Sequence, residues 1–188
     1  MKVLGMTFAR EGSKRLPGKN MKIMCGKPLL EWSLIQLVNT KYVADYCLVT
    51  DSEEMGKLGE QYGFKIAWQP KEEIERAEAE GRLGGTYATR RGIDFMQELQ
   101  KKKMETNRGE QLFDVMVNLL PTQPLRKPDE IDNCIELWLQ HQEDIVNSAI
   151  WYKDMLLYEI KNGIAYPSVF DYEGKYWEYS NIWVGSPK

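Results

Sequence analysis

The most informative stretch of the sequence is Val3-Leu4-Gly5-Met6-Thr7-Phe8-Ala9-Arg10-Glu11-Gly12-Ser13-Lys14-Arg15-Leu16-Pro17-Gly18-Lys19-Asn20. Its first part, Val3 to Phe8, has the length and apolar composition of a buried strand. The part that follows contains two glycines and a proline, which are typical of a loop. Four cationic side chains in this loop would suit a polyphosphate, and glycine lets the backbone approach a ligand closely. The stretch therefore predicts a phosphate-binding loop directly after a buried strand.

Two widespread phosphate-binding motifs do not fit this loop. A P-loop has four residues between its first glycine and its Gly-Lys-Ser/Thr end, whereas five residues separate Gly12 from Gly18. Asn20 also stands where the P-loop has the hydroxyl that binds magnesium. The dinucleotide-binding fingerprint fails as well, because no three glycines are spaced as G-x-G-x-x-G.

The loop resembles the opening signature of the CMP-sialic acid synthetase (acylneuraminate cytidylyltransferase) family, whose members activate nonulosonic acids. The family pattern is A-R-x-G-S-K-x-x-P-x-K-N. The matching positions are Ala9, Arg10, Gly12, Ser13, Lys14, Pro17, Lys19 and Asn20. The resemblance implies an α/β fold of the Rossmann-like nucleotidyltransferase type, with a mostly parallel central sheet flanked by helices. A solvated basic loop is the alternative, but such loops seldom place proline and glycine among their charges.

The bulk composition is that of an ordinary globular protein. With 188 residues, 43% of them hydrophobic, we expect one nucleotidyltransferase-like domain over residues 1–188. The net charge of -3 gives no global field that would attract nucleic acid or an acidic membrane, so we expect neither as a partner.

The three cysteines favour a reducing compartment. Cys25, Cys47 and Cys134 form no C-x-x-C motif, and their odd number argues against a disulfide framework. The first residues contain no secretory h-region, and no run approaches the roughly 18 apolar residues of a membrane span. We therefore expect a soluble, cytoplasmic protein.

Apolar periodicity and turn residues predict alternating strands and helices. The predicted strands after the first are Tyr46–Thr50, Phe64–Trp68, Phe113–Leu120 and Asp144–Ile150. The predicted helices begin after Gly26-Lys27-Pro28, at an Asp51-x-x-Glu54 capping box, near Glu72, at a Gly84-Gly85-Thr86 cap, and at Pro128. An Asn162-Gly163 turn predicts a hairpin, and the hairpin-rich region of about 151–183 resembles the part of related enzymes that crosses to a second subunit. We therefore expect a homodimer.

A second signature follows the predicted Phe113–Leu120 strand. Leu119-Leu120-Pro121-Thr122-Gln123-Pro124-Leu125-Arg126 resembles the family's L-L-Q-P-T-S-P-L-R. Leu120 replaces a glutamine and Gln123 replaces a serine, which leaves the identity of the acceptor open. Because ligands bind beyond the carboxyl ends of parallel strands, we expect the two signatures to face each other.

The reaction implied by the resemblance is attack of the anomeric hydroxyl of a sialic-acid-like sugar on the α-phosphorus of CTP, with pyrophosphate leaving. Such chemistry depends on positioning and on neutralising negative charge. By resemblance, Arg10 and Lys19 are catalytic cations that contact the triphosphate. The other implied nucleotide-binding residues are Ala9, Gly12, Ser13, Lys14, Thr86 and Asn20, the last reading the pyrimidine edge. Thr122, Gln123 and Arg126 are the candidates for the sugar or its carboxylate, although Arg126 has a structural alternative.

The resemblance also implies Mg²⁺ as cofactor, but the metal ligands are not identified. Related enzymes carry a D-x-D motif after a strand near their C-terminus, whereas no D-x-D follows Asn181–Gly185 in this sequence. Asp51, Asp114 and Asp171 are unranked alternatives, and a metal held by the triphosphate and water alone is a further one. The family's arginine before Pro70 is also replaced by Gln69.

These departures leave two alternatives to an active cytidylyltransferase. One is a catalytically impaired homologue that binds a nucleotide or sugar. The other is a nucleotidyltransferase with a different base or acceptor. Arg76 or Arg82 would supply the charge missing at Gln69, or both are solvated.

Overall fold

The computed structural model describes residues 1–13, 16–79, 84–104, 113–141, 145–152, 157–161, 164–168 and 176–185. The strands in these ranges are β1 (Val3–Ala9), β2 (Ile23–Met24), β3 (Lys27–Pro28), β4 (Val43–Thr50), β5 (Lys65–Trp68), β6 (Val115–Leu119), β7 (Ile145–Tyr152), β8 (Leu157–Lys161), β9 (Ile164–Ser168) and β10 (Tyr176–Gly185). The helices are α1 (Leu29–Val38), α2 (Glu53–Gln61), α3 (Lys71–Ala79), α4 (Gly84–Met104) and α5 (Glu130–His141). A short 3₁₀ turn spans Lys19–Met21.

Six of these strands form the central sheet, in the order β5-β4-β1-β6-β10-β7. The pairs β5/β4, β4/β1 and β1/β6 are parallel, whereas β10 runs antiparallel to both β6 and β7. Five strands of the sheet therefore share one direction and β10 alone is reversed. This confirms the predicted mostly parallel α/β architecture.

The register of β1 brings the functional loops to one edge of the sheet. Val3 pairs with Val43 on one side and with Val115 on the other, and Ala9 pairs with Thr50. The Thr7 hydroxyl, which is fully buried, donates a hydrogen bond of 2.9 Å to the Leu119 carbonyl. The chain segments that follow β1, β4 and β6 therefore leave the sheet side by side.

Helices cover both faces of the sheet. This follows from the strands, whose side chains alternate between the two faces and are apolar on each of them. One buried cluster joins Val3, Val115 and Val117 to the buried faces of α1, α2 and α5. The other joins Leu4, Met6 and Met116 to α4. This gives three layers, helix on sheet on helix.

Most predicted elements are confirmed, with boundaries shifted by a few residues. The long helix α4 turns Ala88, Gly92 and Met96 toward the sheet, where they are buried. The predicted hairpin is confirmed by the antiparallel pairing of Lys161 with Ile164, and its Asn162-Gly163 turn lies outside the described residues. The predicted glycine cap is wrong in position, because Gly84 to Thr86 form the first turn of α4.

Gly5 is a close contact point between β1 and its neighbours. A Cβ atom at this position would lie 2.8 Å from Val43 Cγ1 and 3.0 Å from Leu37 Cδ2. We predict that Gly5→Ala lowers the free energy of unfolding by about 1–3 kcal/mol, because overpacking forces a branched side chain to move. Urea denaturation measures this change. Gly12→Ala is the matched control, since its Cβ would meet nothing within 4 Å, and equal stability loss in both variants would contradict the prediction.

Candidate active site

The loop after β1 is closed by one buried side chain. Asn20, only 4% exposed, donates a hydrogen bond of 3.0 Å from Nδ2 to the carbonyl of Arg10. This bond joins the two ends of the predicted phosphate-binding loop. Because burying an amide is favourable only when it is hydrogen-bonded, the bond also explains why asparagine is accommodated there.

The two loop glycines differ in backbone conformation. Gly18 has φ +64° and ψ 18°, a left-handed conformation that glycine adopts without strain, and it leads directly into the 3₁₀ turn that carries Lys19. Gly12 lies outside the left-handed region, and a Cβ there would meet open space. The described fold therefore favours glycine at position 18 and places no steric demand for it at position 12.

Asp51 does not have the capping role predicted for it. The N-cap of α2 is Ser52, and no side chain caps the helix. Instead, Asp51 Oδ1 accepts a hydrogen bond of 2.8 Å from the backbone N–H of Glu11. The capping box is therefore the wrong interpretation, and Asp51 ties the end of β4 to the loop after β1.

A cleft of about 280 Å³ opens at this junction. Its lining residues come from the loop after β1, from the end of β4 and from the first turns of α3. They are Arg10, Glu11, Gly12, Asp51, Lys71, Ile74 and Glu75. The position agrees with the general rule that ligands bind beyond the carboxyl ends of parallel strands. The sequence predicts this helix near Glu72 but not its place in the cleft wall, although a helix that starts directly after β5 must begin at this same edge.

Two of the predicted nucleotide-binding residues, Arg10 and Gly12, line this cleft. Ala9 ends β1 and is buried, Arg10 is half-buried, and Gly12 is exposed. Ser13 and Lys19 are half-buried in the loop. Lys14 lies outside the described residues, and Thr86 lies in the first turn of α4. The structure thus brings Arg10 and Gly12 to the cleft wall and places Ser13 and Lys19 in the adjoining loop.

The second signature loop is fastened to α1 by what we call the loop clamp, formed by Arg126 and Gln36. Arg126 Nη1 donates to Gln36 Oε1 at 2.7 Å, and Nη2 donates to the carbonyl of Leu120 at 2.8 Å. Gln36 Nε2 in turn donates to the carbonyl of Pro124 at 2.6 Å. The loop clamp therefore holds both ends of the Leu120–Arg126 segment.

Arg126 has a low pKa for an arginine because burial disfavours its charged form. Desolvation lowers the pKa of Arg126 to about 10, although the charge of Glu130 opposes this shift. The guanidinium is still charged at neutral pH, so its burial is a cost that the hydrogen bonds of the loop clamp offset. These contacts support the structural alternative for Arg126.

Thr122 is exposed and Gln123 half-buried in the same loop, where their contact with a sugar stays a prediction.

Of the three candidate metal ligands, the described cleft contains one. Asp51 lines the cleft. Asp114 lies before β6, at the opposite edge of the sheet, where its Oδ2 accepts a hydrogen bond of 2.8 Å from the backbone of Lys2. It is therefore excluded as a ligand at the cleft. Asp171 lies outside the described residues, among which no three potential ligands are grouped for a metal ion.

The position where related enzymes carry an arginine is buried. Gln69 is only 4% exposed, and its Oε1 is buried without a hydrogen-bond partner in the described part of the chain. Arg76 is exposed on α3, and Arg82 lies outside the described residues. An arginine of α4 contacts the residue before Gln69 instead, since Arg91 Nε donates to the carbonyl of Trp68 at 3.2 Å. No local pattern in the sequence points to this arginine, because the contact joins α4 to the end of β5.

Comparison with known proteins confirms the predicted relationship to the nucleotidyltransferases that activate nonulosonic acids. Residues 5–78 match the family model described as Cytidylyltransferase. The chain is 28% identical to CMP-N,N'-diacetyllegionaminic acid synthase of Legionella pneumophila, over 73% of this chain and 53% of that protein. It is 26% identical to pseudaminic acid cytidylyltransferase of Campylobacter jejuni, over 79% of this chain and 58% of that protein.

A solved structure supports the fold. CMP:2-keto-3-deoxy-manno-octonic acid synthetase complexed with CTP superimposes with a TM-score of 0.64 at 17% identity, over 99% of this chain and 74% of that one. The matches to the two bacterial relatives cover little more than half of each relative's length. No helix in the described part of the chain has the length and apolar character needed to traverse a bilayer.

We predict that Gln36→Ala destabilises the protein by about 1–3 kcal/mol, because it removes two part-buried hydrogen bonds of the loop clamp, those to Arg126 and to the carbonyl of Pro124. The midpoint of urea denaturation should fall without a change in its slope. Gln97→Ala is the matched control, since Gln97 is exposed on α4 and should tolerate the change. Equal midpoints for Gln36→Ala and the unmodified protein would show that the clamp contributes no stability.

Proposed function

We propose that this chain, a relative of the cytidylyltransferases, transfers CMP from CTP to a sialic-acid-like nonulosonic acid and releases pyrophosphate. The observation that carries the proposal is the position of the signature loop. Its residues Arg10 and Gly12 line a cleft at the carboxyl edge of a mostly parallel sheet, where Asp51 and α3 complete the walls. The relatives named above carry this activity in their names, and the solved neighbour is a complex with CTP.

In the proposed reaction the anomeric oxygen of the sugar forms a bond to the α-phosphorus, and the hydroxyl proton passes to water. The bond from the α-phosphorus to the oxygen bridging to the β-phosphorus breaks, and that oxygen leaves as part of pyrophosphate. Negative charge grows on the bridging and non-bridging oxygens, so fixed cations and N–H donors stabilise the transition state. Arg10 and Lys19 supply the cations. The backbone amides of Gly12 and Ser13, with Lys14, are the further proposed triphosphate contacts.

For the base, we propose Asn20. Its amide has two N–H donors and one acceptor, and the bond to Arg10 uses one donor. An amide that is already oriented by one hydrogen bond loses little freedom when it meets a pyrimidine edge. Thr86 is the second proposed contact on the nucleotide side, from the first turn of α4.

For the sugar, we propose Thr122 and Gln123 in the loop after β6, with Arg126 acting through the loop clamp. The parallel pairing of β1 with β6 carries this loop to the same edge as the nucleotide loop. Both substrates would therefore approach the cleft from neighbouring strand ends.

We further propose that Mg²⁺ accompanies the triphosphate. Mg²⁺ is commonly held by one or two carboxylates together with substrate phosphates, so a site with one carboxylate fits it. Asp51 is that carboxylate, since it lines the cleft while one of its oxygens accepts the Glu11 N–H. When bound, the metal would neutralise phosphate charge.

Assembly and compartment are also proposals. A homodimer is favoured by the β8/β9 hairpin, which pairs with no described strand of the central sheet. A reducing cytoplasm is favoured by the cysteines, all of which are free, with Cys47 and Cys134 buried. A single domain over residues 1–188 stays a prediction.

Pyrophosphate release tests the proposed activity directly. The chain is incubated with Mg²⁺, one of CTP, UTP, ATP or GTP, and one of a panel of nonulosonic acids. We expect release only with CTP, and only in the presence of an acidic sugar. CTP binding without turnover on any acceptor would instead identify a catalytically impaired homologue, and preference for another triphosphate would identify a different base.

Lys19→Ala tests the placement of the triphosphate. Calorimetry should show CTP binding weakened by at least about tenfold, because a charge-assisted contact is lost. The thermal unfolding midpoint should stay unchanged, since Lys19 is only half-buried and its side chain does not contribute to the closing bond between Asn20 and Arg10. Unchanged CTP affinity in this variant would show that the loop is not part of the CTP-binding site.

We predict that Asp51→Asn raises the Mg²⁺ concentration needed for half-maximal turnover by about tenfold or more, because an amide is a weaker ligand for a hard cation. The carbonyl oxygen of the substituted amide can still accept the Glu11 N–H, so the loop keeps its position. Asp114→Asn, at the opposite sheet edge, is the matched control and should leave the Mg²⁺ dependence unchanged. Identical Mg²⁺ dependence for Asp51→Asn and the unmodified protein would exclude Asp51 as a ligand.

A further inference from the structure

The cleft contains one cation that belongs to neither signature. Lys71, the first residue of α3, lines the cleft opposite the loop after β1. Its ammonium group lies 3.6 Å from Glu11 Oε2, and the two side chains are 71% and 62% exposed. The pair therefore joins the α3 wall to the loop wall through an ion pair in contact with solvent.

Such an ion pair is weak and easily exchanged. Exposed pairs contribute little to stability, because water screens the attraction and both side chains lose freedom. A triphosphate carries several negative charges on closely spaced oxygens, so it is a stronger partner for an ammonium group than one carboxylate. A polyphosphate entering the cleft would therefore take Lys71 from Glu11.

The other charged groups of the cleft determine how strongly this exchange affects the binding of a polyphosphate. The remaining charged groups in the lining are Arg10, Asp51 and Glu75. Together with the Lys71–Glu11 pair, the lining has two cations and three carboxylates, so a polyanion meets net negative charge there. The net charge that a polyanion meets becomes less negative when a cation turns toward the phosphates or when a carboxylate is removed.

We propose that Lys71 is a further triphosphate-binding residue, and that Glu11 competes with the nucleotide for its ammonium group. The inference rests on the proposed function, since it requires a nucleoside triphosphate in this cleft. Glu11 then sets the affinity: it holds Lys71 in the free protein and releases it when the nucleotide binds.

The geometry separates the two roles of Glu11. Its backbone N–H donates to Asp51, whereas its side chain contacts Lys71. A substitution that changes only the carboxylate therefore leaves the tie to β4 in place. Glu11→Gln keeps the size of the side chain and removes its charge, which makes it the appropriate probe.

The test is a double-mutant cycle of CTP binding by calorimetry, at one fixed low salt concentration, on the unmodified chain, Lys71→Ala, Glu11→Gln and the double variant. Lys71→Ala should weaken binding by about tenfold, the loss typical of one charge-assisted contact. Glu11→Gln should tighten binding by about 2–5-fold, the worth of the broken ion pair. In the Lys71→Ala background, Glu11→Gln should have no such effect. Lys57→Ala, an exposed lysine on α2, is the matched control and should bind CTP as the unmodified chain does.

The outcomes separate this inference from the proposed function. If the unmodified chain binds no CTP, both are overturned. If it binds CTP and Lys71→Ala binds equally well, the role of Lys71 alone is overturned. If Glu11→Gln tightens binding equally in both backgrounds, Glu11 acts by direct repulsion of the phosphates, and the competition is overturned. Thermal unfolding of all four variants verifies that each one is folded.

Discussion

The parallel pairing of β1 with both β4 and β6 is the constraint on which the site depends. β1 pairs with β6 in continuous register from Val3 and with β4 in continuous register from Leu4, after a bulge between Val3 and Leu4. The buried Thr7 hydroxyl adds a bond to Leu119. Because parallel strands end at the same edge, the loops after β1, β4 and β6 emerge together. Charged segments that are far apart in the sequence are thereby gathered around one cleft, and the apolar side chains on both faces of the strands are packed beneath helices.

Much of this architecture could be predicted because the controlling signals are local. The apolar run before Ala9, the apolar run around Val115 and the Asn-Gly turn each specify an element within a few residues. The signature loop was located by the same kind of signal, since glycine, proline and lysine follow a buried strand there. Strand order and the reversal of β10 could not be read in this way, because they depend on pairing between distant segments.

The site features that sequence reasoning missed are all contacts between elements. Asp51 had a sufficient local explanation as a helix cap, yet its carboxylate accepts a bond from Glu11, 40 positions away in the chain. Arg91 and Lys71 lie on charged helical segments that are typical of solvated faces, and only the packing of α3 and α4 brings them to the strand ends. For Arg126 the motif was recognised, but its burial and its bonds to Gln36 and Leu120 define what it does. Local patterns thus locate the loops, whereas tertiary contacts assign the roles.

The reversed strand β10 has a consequence for the order in which the chain assembles. It fits between β6 and β7, pairing Val184 with both Val117 and Val146, so the sheet becomes continuous only after its last described strand is made. During synthesis, the strands from β1 to β6 are available to pair first, and β6 then presents an unpaired, highly apolar edge until Gly185 has left the ribosome. An edge of this kind is a template for mispairing between nascent chains. The nascent protein therefore has a defined window of vulnerability to aggregation, which closes when β10 inserts.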